Sequence, residues 1–237
     1  MTSPEAAQEI YDLVVGAEDR RMLSAEMEQF LEAEIAESVD AGRRWRILAN
    51  QTILARVVQA DLDEPEFNAL RHTIPESGNQ LADGLTAAGK LGLTSNMDAW
   101  DGYPAARERL YDLASRVGCN DLLAITGDTH IFWQNQLFDR NGIRMGLELG
   151  TTAVSSPRGY RELGPQATTR LDELLAQRNE SVVWVDGRYR GYVRLSLNRE
   201  QARADFITVT TIESELYATE TLRSVRIEPR DGSLFYS

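Results

Sequence analysis

Cysteine, histidine and long apolar runs are scarce in this sequence, and each scarcity excludes a class of protein. The 237 residues include one cysteine, Cys119, so we expect neither an internal disulfide nor a thiolate zinc cluster. The only histidines are His72 and His130, so a catalytic or metal-binding histidine must be one of these two. No apolar run is long enough for a membrane span. The first residues lack a basic segment followed by a hydrophobic one, so we expect no signal peptide on this chain and leave its localisation open.

Basic residues are also in the minority. The chain has 25 lysines and arginines against 37 acidic residues, for a formal net charge of -12. Nucleic acids and anionic membranes bind through basic patches, so neither is expected as a partner. A phosphorylated substrate remains compatible with this charge, because a bound metal ion supplies positive charge locally. With 42% hydrophobic residues, the chain can bury a sizeable core.

The order of the predicted elements indicates an α/β (α+β) fold. Helices and buried strands are predicted to alternate at 17–39, 45–49, 104–117 and 121–126. The last third is predicted to form mostly antiparallel strands at 146–154, 181–185, 191–197, 204–212 and 224–227, with one helix at 166–178. Between 61 and 97, prolines, glycines and other small residues predict a long loop, and loops of this length are usually functional or disordered.

The strongest chemical signal is Gly127-Asp128-Thr129-His130, directly after the predicted strand 121–126. Ligands of open α/β sheets bind beyond the carboxyl ends of the strands, and Gly127 permits a sharp turn there. A carboxylate and an imidazole two residues apart can face one metal ion. Their donors suit iron, manganese or zinc, and calcium through oxygen. The alternative is a capped turn whose histidine is satisfied by ordinary hydrogen bonds.

A second concentration of polar and aromatic residues lies in the loop 98–104. It contains Asp98, Trp100, Asp101 and Tyr103 and ends at Pro104, where a helix is predicted to begin. These side chains either line the active cleft or serve the fold. In the second case Asp101 caps the helix, and the two aromatic residues anchor the loop in the core.

Two further segments follow predicted strands. Asn50-Gln51 ends the strand at 45–49 and either faces the same crevice or belongs to a hydrogen-bond network. Arg158 follows the strand at 146–154 and either neutralises a phosphate or is a surface charge. The nearby Ser155-Ser156 lacks the Gly-x-Ser-x-Gly elbow, which argues against serine hydrolysis.

In their order along the chain, these segments resemble the alkaline phosphatase D family. The resemblance is carried by residues 21–23, 45–51, 98–104, 123–130, 148–156 and 190–193. The family is similar to purple acid phosphatase-like metallophosphoesterases, whose fold is a β-sandwich flanked by helices. The resemblance therefore implies that residues 1–237 form the C-terminal half of such a domain.

The resemblance also implies an activity and a site. The expected protein is a phosphoric ester hydrolase that cleaves phosphomonoesters and phosphodiesters, with iron and calcium at a multinuclear site. Asp128 and His130 would be metal ligands and catalytic residues, and Asn50 a weaker third ligand. The residues expected around the substrate or behind the ligands are Gln51, Asp98, Trp100, Asp101, Tyr103 and Arg158. The implied reaction is in-line attack on phosphorus by metal-activated water, and family members are commonly exported to the periplasm or secreted.

The resemblance covers an incomplete set of motifs. Family members have an N-terminal half with a Ser-Cys-Gln cysteine, a Gly-Asp-x-x-Tyr block and an Asp-Asp-His block, and none of these precedes Asn50 here. Cys119 lies in the wrong place to substitute. Three hypotheses remain. The chain is a fragment of a complete enzyme, or it completes its site with another chain or a second copy of itself. Otherwise it is a non-catalytic remnant that binds a partner or a phosphorylated ligand.

Overall fold

Two β-sheets and a layer of helices make up the protein in a computed structural model that describes residues 3–237. The strands are β1 (Arg46–Ala49), β2 (Leu122–Thr126), β3 (Phe132–Phe138), β4 (Arg144–Gly150), β5 (Val182–Asp186), β6 (Gly191–Leu197), β7 (Ala202–Val209), β8 (Thr219–Arg230) and β9 (Ser233–Tyr236). The first sheet has the strand order β1-β2-β4-β3-β5, and the second has the order β6-β7-β8-β9.

The helices and the second sheet cover opposite faces of the first sheet. The helices are α1 (Pro4–Ile10), α2 (Ala25–Asp40), α3 (Pro65–Leu70), α4 (Glu76–Lys90), α5 (Pro104–Arg116) and α6 (Gly164–Arg178). Ala124 of β2 packs in the core with the helices, whereas its neighbour Leu123 packs against Phe206 of the second sheet. This alternation places one apolar core on each face. It confirms the mixed α/β class and the sandwich flanked by helices. Within the described residues, no helix combines the length and apolarity needed to cross a bilayer.

The strand directions of the first sheet bring several strand ends to one edge. β1, β2 and β4 are parallel neighbours, whereas β3 is antiparallel to both β4 and β5. The carboxyl ends of β1, β2, β4 and β5 therefore meet at the same edge of the sheet, called the carboxyl edge below. The turn from β2 to β3 also lies at this edge, because β3 starts where β2 ends.

The prediction of a long loop at 61–97 is wrong, because the segment contains α3 and α4. The small residues that suggested a loop instead allow close packing. A Cβ on Gly78 would lie 2.1 Å from the Glu162 carbonyl oxygen, and one on Gly89 would lie 2.3 Å from the Ala60 carbonyl oxygen. The backbone of α4 thus packs directly against neighbouring backbone, which a larger side chain at either glycine would prevent.

The strand at 45–49 was predicted to be buried, whereas β1 is an edge strand. Among the residues that the structure describes, it pairs only with β2, and Ile47 is 44% exposed. A run of apolar residues does not by itself distinguish an interior strand from an edge strand, because the difference depends on which other strands are present. β1 therefore presents a row of unpaired backbone groups to solvent.

Most other predicted elements are confirmed to within a few residues, and β3 is the main omission. The predicted segments 104–117, 121–126, 166–178 and 191–197 correspond to α5, β2, α6 and β6, while the helix predicted at 17–39 begins only at Ala25. β3 escaped prediction because its centre is polar. Gln134 accepts a hydrogen bond from Arg223 Nε (2.7 Å), and Asn135 Nδ2 donates to Glu148 (2.7 Å). These bonds satisfy the Gln134 oxygen and the Asn135 nitrogen in the buried centre of the strand, whereas Asn135 Oδ1 has no partner among the described residues.

Candidate functional site

The motif Gly127-Asp128-Thr129-His130 forms a strained turn between β2 and β3 at the carboxyl edge. Asp128 and His130 both have left-handed backbone conformations, with φ of 73° and 58°. The Thr129 N–H donates to the Gly127 carbonyl oxygen (3.0 Å), and with a positive φ at Asp128 this bond defines the rare, strained γ-turn. Non-glycine residues in such conformations cost free energy and concentrate at functional sites. The turn is therefore the first candidate for chemistry.

Hydrogen bonds orient the side chains that follow Asp128. Trp133 Nε1 donates to Thr129 Oγ1 (2.9 Å), and His130 Nδ1 donates to the Pro157 carbonyl oxygen (2.9 Å). A histidine that donates from Nδ1 presents Nε2 as its unprotonated nitrogen, the arrangement usual in metal-binding histidines. Asp128 is exposed and His130 is partly exposed. The turn thus offers a carboxylate and an imidazole nitrogen at the surface.

Backbone hydrogen bonds tie the neighbouring strand ends to this turn. The Asn50 N–H donates to the Ile125 carbonyl oxygen (3.0 Å), and the Gly127 N–H donates to the Gln51 carbonyl oxygen (3.1 Å). The N–H of Thr151, the first residue after β4, donates to the carbonyl oxygen of the last residue of β2 (2.8 Å). The residues after β1, β2 and β4 are thus adjacent, which agrees with one of the two interpretations of Asn50-Gln51, that they face the same crevice as the turn.

The Asn50 side chain is held within the carboxyl edge. Its Oδ1 accepts a hydrogen bond from Trp100 Nε1 (3.2 Å), and its Nδ2 donates to the Thr52 carbonyl oxygen. A carboxamide oxygen has a second lone pair, so a ligand role for Asn50 is compatible with these contacts and stays a prediction. Gln51 is exposed beside it.

The loop 98–104 is anchored to the fold, in line with the interpretation that its aromatic side chains fix it in the core. Trp100 is 2% exposed, and its indole connects the loop to Asn50. Tyr103 is half-buried, with the Arg20 guanidinium carbon 4.6 Å from the centre of its ring. Asp98 is exposed. Only Trp100 of these residues has a direct hydrogen bond to a residue of the carboxyl edge in the part of the chain that the structure describes.

Asp101 belongs to the core, neither capping α5 nor lining an open cleft. It is 3% exposed, and α5 begins without a side-chain cap. Its carboxylate accepts hydrogen bonds from Arg107 Nη1 (2.8 Å) and from the Val57 N–H (3.1 Å). The Arg107 side chain is equally buried. This ion pair holds α5 against the segment that follows β1, which local capping rules could not predict.

Arg158 lies in the segment 151–160, which packs on the strained turn. This segment supplies the Pro157 carbonyl that binds His130. A Cβ on Gly159 would lie 2.9 Å from the Thr129 carbonyl oxygen, so the two backbones are in direct contact. Arg158 Nη1 donates to the Arg188 carbonyl oxygen (3.4 Å), just beyond β5. The structure thus brings Arg158 to the carboxyl edge.

Glu148 is a central residue of the site region whose role the sequence did not reveal. It is fully buried in β4, and its carboxylate accepts hydrogen bonds from Leu54 N–H (2.6 Å), Ala55 N–H (3.1 Å) and Asn135 Nδ2 (2.7 Å). Burial raises the pKa of the Glu148 carboxyl, against the opposing effect of these donors. Glu148 therefore fixes the segment that runs on from Asn50. Its one sequence signal is a lone acid within the apolar strand β4.

Asp172 of α6 is a second buried acid that the sequence analysis missed. It is 6% exposed, and its Oδ2 accepts a hydrogen bond from the Gly187 N–H (3.0 Å). Its Oδ1 has no hydrogen-bond partner among the described residues. Burial raises the pKa of Asp172 to about 7, and the charge of Asp186 acts in the same direction. No spacing rule distinguishes this acid from the exposed Glu173 beside it in the same helix.

The chain offers the kinds of donor atom that the implied metal ion needs, but too few of them. Asp128 and His130 offer a carboxylate oxygen and an imidazole nitrogen, which suit iron or zinc. Among residues 3–237, however, no group of three or more histidine, cysteine, aspartate or glutamate side chains is arranged to hold a metal ion. The described residues therefore form at most part of a metal site.

The chain is similar to known proteins in sequence and in fold. Residues 2–206 match the family described as PhoD-like phosphatase. The chain is 27% identical over 192 residues to alkaline phosphatase D of Bacillus subtilis (strain 168), and this match covers 79% of the chain but 27% of that protein. The fold matches a solved structure of PhoD with a TM-score of 0.65 at 21% identity, covering 94% of this chain and 36% of the solved one. The chain thus spans about a third or less of either relative, and it belongs to the PhoD-like phosphatase family.

Proposed function

We propose that this chain supplies part of the active site of a metal-dependent phosphoesterase, with Asp128 and His130 as metal ligands. The family is metal-dependent. The observation that carries the proposal is the strained turn at the carboxyl edge. The backbone φ angles of Asp128 and His130 there are 73° and 58°. Glycine at either position would relieve the strain, so stability alone does not explain an aspartate and a histidine there.

The residues of the chain have separate tasks in this proposal. The Pro157 carbonyl fixes the His130 ring and makes Nε2 a better electron-pair donor. Asp128 adds negative charge and an oxygen donor. This mixed pair suits iron better than calcium, because calcium takes oxygen ligands. When bound, a metal ion supplies electrophilic activation of the phosphoryl group and of water. Arg158 lies at the same edge, and its charge would contribute to binding a phosphate of the substrate.

The remaining ligands come from outside the described residues in this proposal. The unpaired edge of β1 supports this view, because a strand added there in parallel would end beside Asn50 at the carboxyl edge. The exposed side chain of Ile47 would be covered by the same addition. Either a longer polypeptide, a separate chain or a second copy of this chain supplies the missing strand and ligands. We therefore expect phosphomonoester and phosphodiester hydrolysis from the completed site and little or none from this chain alone.

Metal binding by the purified chain tests the assignment of the ligands. Mn²⁺ is a suitable probe, because its electron paramagnetic resonance signal reports the free ion directly. We expect weak binding of one ion per chain, lost in Asp128→Asn and in His130→Gln. The matched control is His72→Gln, which removes the other histidine, exposed on a short helix after α3. Equal loss of binding in the His72 variant, or unchanged binding in the Asp128 and His130 variants, would overturn the assignment.

Hydrolysis of bis(4-nitrophenyl) phosphate tests the expectation that the site is incomplete. The chain alone should give no more than a trace of chelator-sensitive activity. Robust turnover that disappears in His130→Gln would refute incompleteness while keeping the ligand assignment.

A second function is favoured by the absence of a three-ligand cluster among residues 3–237. In this alternative the chain is a non-catalytic module that binds a partner or a phosphorylated ligand. It predicts no Mn²⁺ binding that depends on Asp128 or His130, and no hydrolysis under any supplementation. Stoichiometric Mn²⁺ that depends on His130 would exclude this alternative.

A further inference from the structure

Two arginines beside the strained turn lack acidic partners. Arg158 precedes the close contact at Gly159, and Arg190 Nε donates to the Ser156 carbonyl oxygen (2.8 Å) in the same segment. Neither guanidinium forms an ion pair with a carboxylate among the residues that the structure describes. Each is held through a backbone carbonyl, with Arg158 Nη1 donating to the Arg188 carbonyl oxygen (3.4 Å). Their remaining N–H groups are therefore available.

The charges of these two arginines lie close enough to affect each other. Burial lowers the pKa of Arg190 from its usual value, and the charge of Arg158 lowers it further. Glu213, on the exposed connection between β7 and β8, acts weakly in the opposite direction. Two neighbouring cations without a counter-ion are unfavourable unless an anion joins them. Such a pair is also unexpected in a chain with 37 acidic residues and 25 basic ones.

Arg188, in the same region, differs from these two arginines because a carboxylate neutralises its charge. Its carbonyl oxygen accepts the hydrogen bond from Arg158, and it stands two residues before Arg190 in the chain. Its own side chain binds Asp186 through both Nε and Nη2, with Nη2–Oδ2 at 2.5 Å. Its guanidinium also lies 5.0 Å from the centre of the Tyr189 ring. The carboxyl edge thus provides a carboxylate for Arg188 and none for Arg158 or Arg190. Of these three arginines, Arg158 and Arg190 are therefore the two that remain available for an external anion.

We infer that Arg158 and Arg190 form an anion subsite beside Asp128 and His130 that takes a second phosphoryl group of the substrate. This inference rests on the proposed function for the identity of the substrate as a phosphoester. It narrows the substrate class to compounds with a further phosphoryl group near the scissile one. Guanidinium groups bind phosphoryl oxygens through paired, charge-assisted hydrogen bonds. The Pro157 carbonyl joins the segment that carries Arg158 to His130, so the subsite and the ligand pair are held by one piece of backbone.

Binding of inorganic pyrophosphate to the metal-free chain tests the subsite without requiring catalysis. Isothermal titration calorimetry at low ionic strength with chelator present should detect one pyrophosphate per chain. Arg158→Gln and Arg190→Gln should each weaken binding about tenfold, as expected for one charge-assisted contact of about 1.4 kcal/mol. The matched control is Arg199→Gln, which removes an equal charge from the exposed connection between β6 and β7. Its binding should change less than about twofold.

Other arms of the same titration separate the possible explanations. Glu213→Gln should tighten binding, because it removes the acid that opposes the anion. Succinate should bind much more weakly than pyrophosphate; equal binding would overturn the assignment to phosphoryl groups. Absence of pyrophosphate binding, or equal losses in Arg199→Gln and Arg190→Gln, would overturn the subsite. His130→Gln should leave pyrophosphate binding intact. Failure of the metal-ligand proposal is therefore seen in the Mn²⁺ experiment, and failure of the subsite is seen here.

Discussion

Substitution of Asp172 by asparagine should stabilise the protein at alkaline pH. Asp172 is 6% exposed, and its pKa is raised to about 7 mainly because burial disfavours the ionised carboxylate. A folded-state pKa above the unfolded value means that the folded protein holds the proton more tightly. The stability that comes from this tighter binding of the Asp172 proton is fully present below about pH 4 and is lost as the pH rises through about 7. Asparagine carries no charge at any pH and removes this loss.

The magnitude follows from the size of the shift. The pKa rises from 3.8 to about 7. At about 1.4 kcal/mol per unit, the total loss of stability is about 4 kcal/mol. About 2–3 kcal/mol of this stability is lost between about pH 5 and pH 8, because the rest has already been lost by pH 5. The carboxamide oxygen can still accept the Gly187 N–H, and its nitrogen takes the position of the unpartnered Oδ1. The packing of α6 against β5 should therefore be retained.

Urea denaturation of both proteins at several pH values measures this effect. The difference in the free energy of unfolding, variant minus wild type, should increase by about 2–3 kcal/mol from about pH 5 to pH 8. All other titrating groups are shared and cancel from this difference. Asp19→Asn, at an exposed position, is the matched control and should give a difference that stays flat with pH. A flat difference for Asp172→Asn would refute the argument from burial.

Three further substitutions have definite expected outcomes. Arg107→Met leaves the Asp101 carboxylate buried without its partner, so urea denaturation at neutral pH should show a loss of about 3–5 kcal/mol; a loss below about 1 kcal/mol would contradict this. Glu148→Gln replaces one acceptor oxygen by a donor, so it should cost about 1–3 kcal/mol and speed hydrogen exchange at the Leu54 amide; unchanged exchange there would argue against the anchoring role. Asp128→Gly should raise the free energy of unfolding by about 1 kcal/mol while abolishing Mn²⁺ binding, and a loss of stability would show that the turn is unstrained.

The sequence predicted those parts of the site that depend on neighbours along the chain. The strand at 121–126 and the motif that follows it are local signals, and their position at the end of a strand follows from the α/β pattern. The adjacency of Asn50-Gln51 to Gly127 was one of two alternatives that the sequence left open, and the parallel pairing of β1 with β2 decides it by placing their carboxyl ends together. The left-handed conformations of Asp128 and His130 had only a weak signal, since aspartate and histidine adopt a positive φ more often than most non-glycine residues but still do so in few cases.

The features that sequence reasoning missed depend on contacts between distant segments. Asp101 accepts a hydrogen bond from an amide 44 residues away, and Glu148 accepts one from an amide 94 residues away. Both acids would be ordinary surface residues on composition alone. α4 was missed for a related reason: its glycines predict a loop locally, but in the fold they allow close approach to Glu162 and Ala60.

The strained turn connects β2 with β3, and both are interior strands of the first sheet. Interior strands separate only when the sheet as a whole opens, so the backbone of Asp128 and His130 cannot relax through a small local fluctuation. The segment 151–160, by contrast, connects β4 to α6 over the surface and can move while the sheet stays closed. Hydrogen exchange should therefore divide the region into a slow half around Phe132 and a fast half around Ser156. The backbone geometry of Asp128 and His130 should therefore persist for as long as the sheet does, whereas the hydrogen bond between His130 and the Pro157 carbonyl should break and re-form many times within that lifetime.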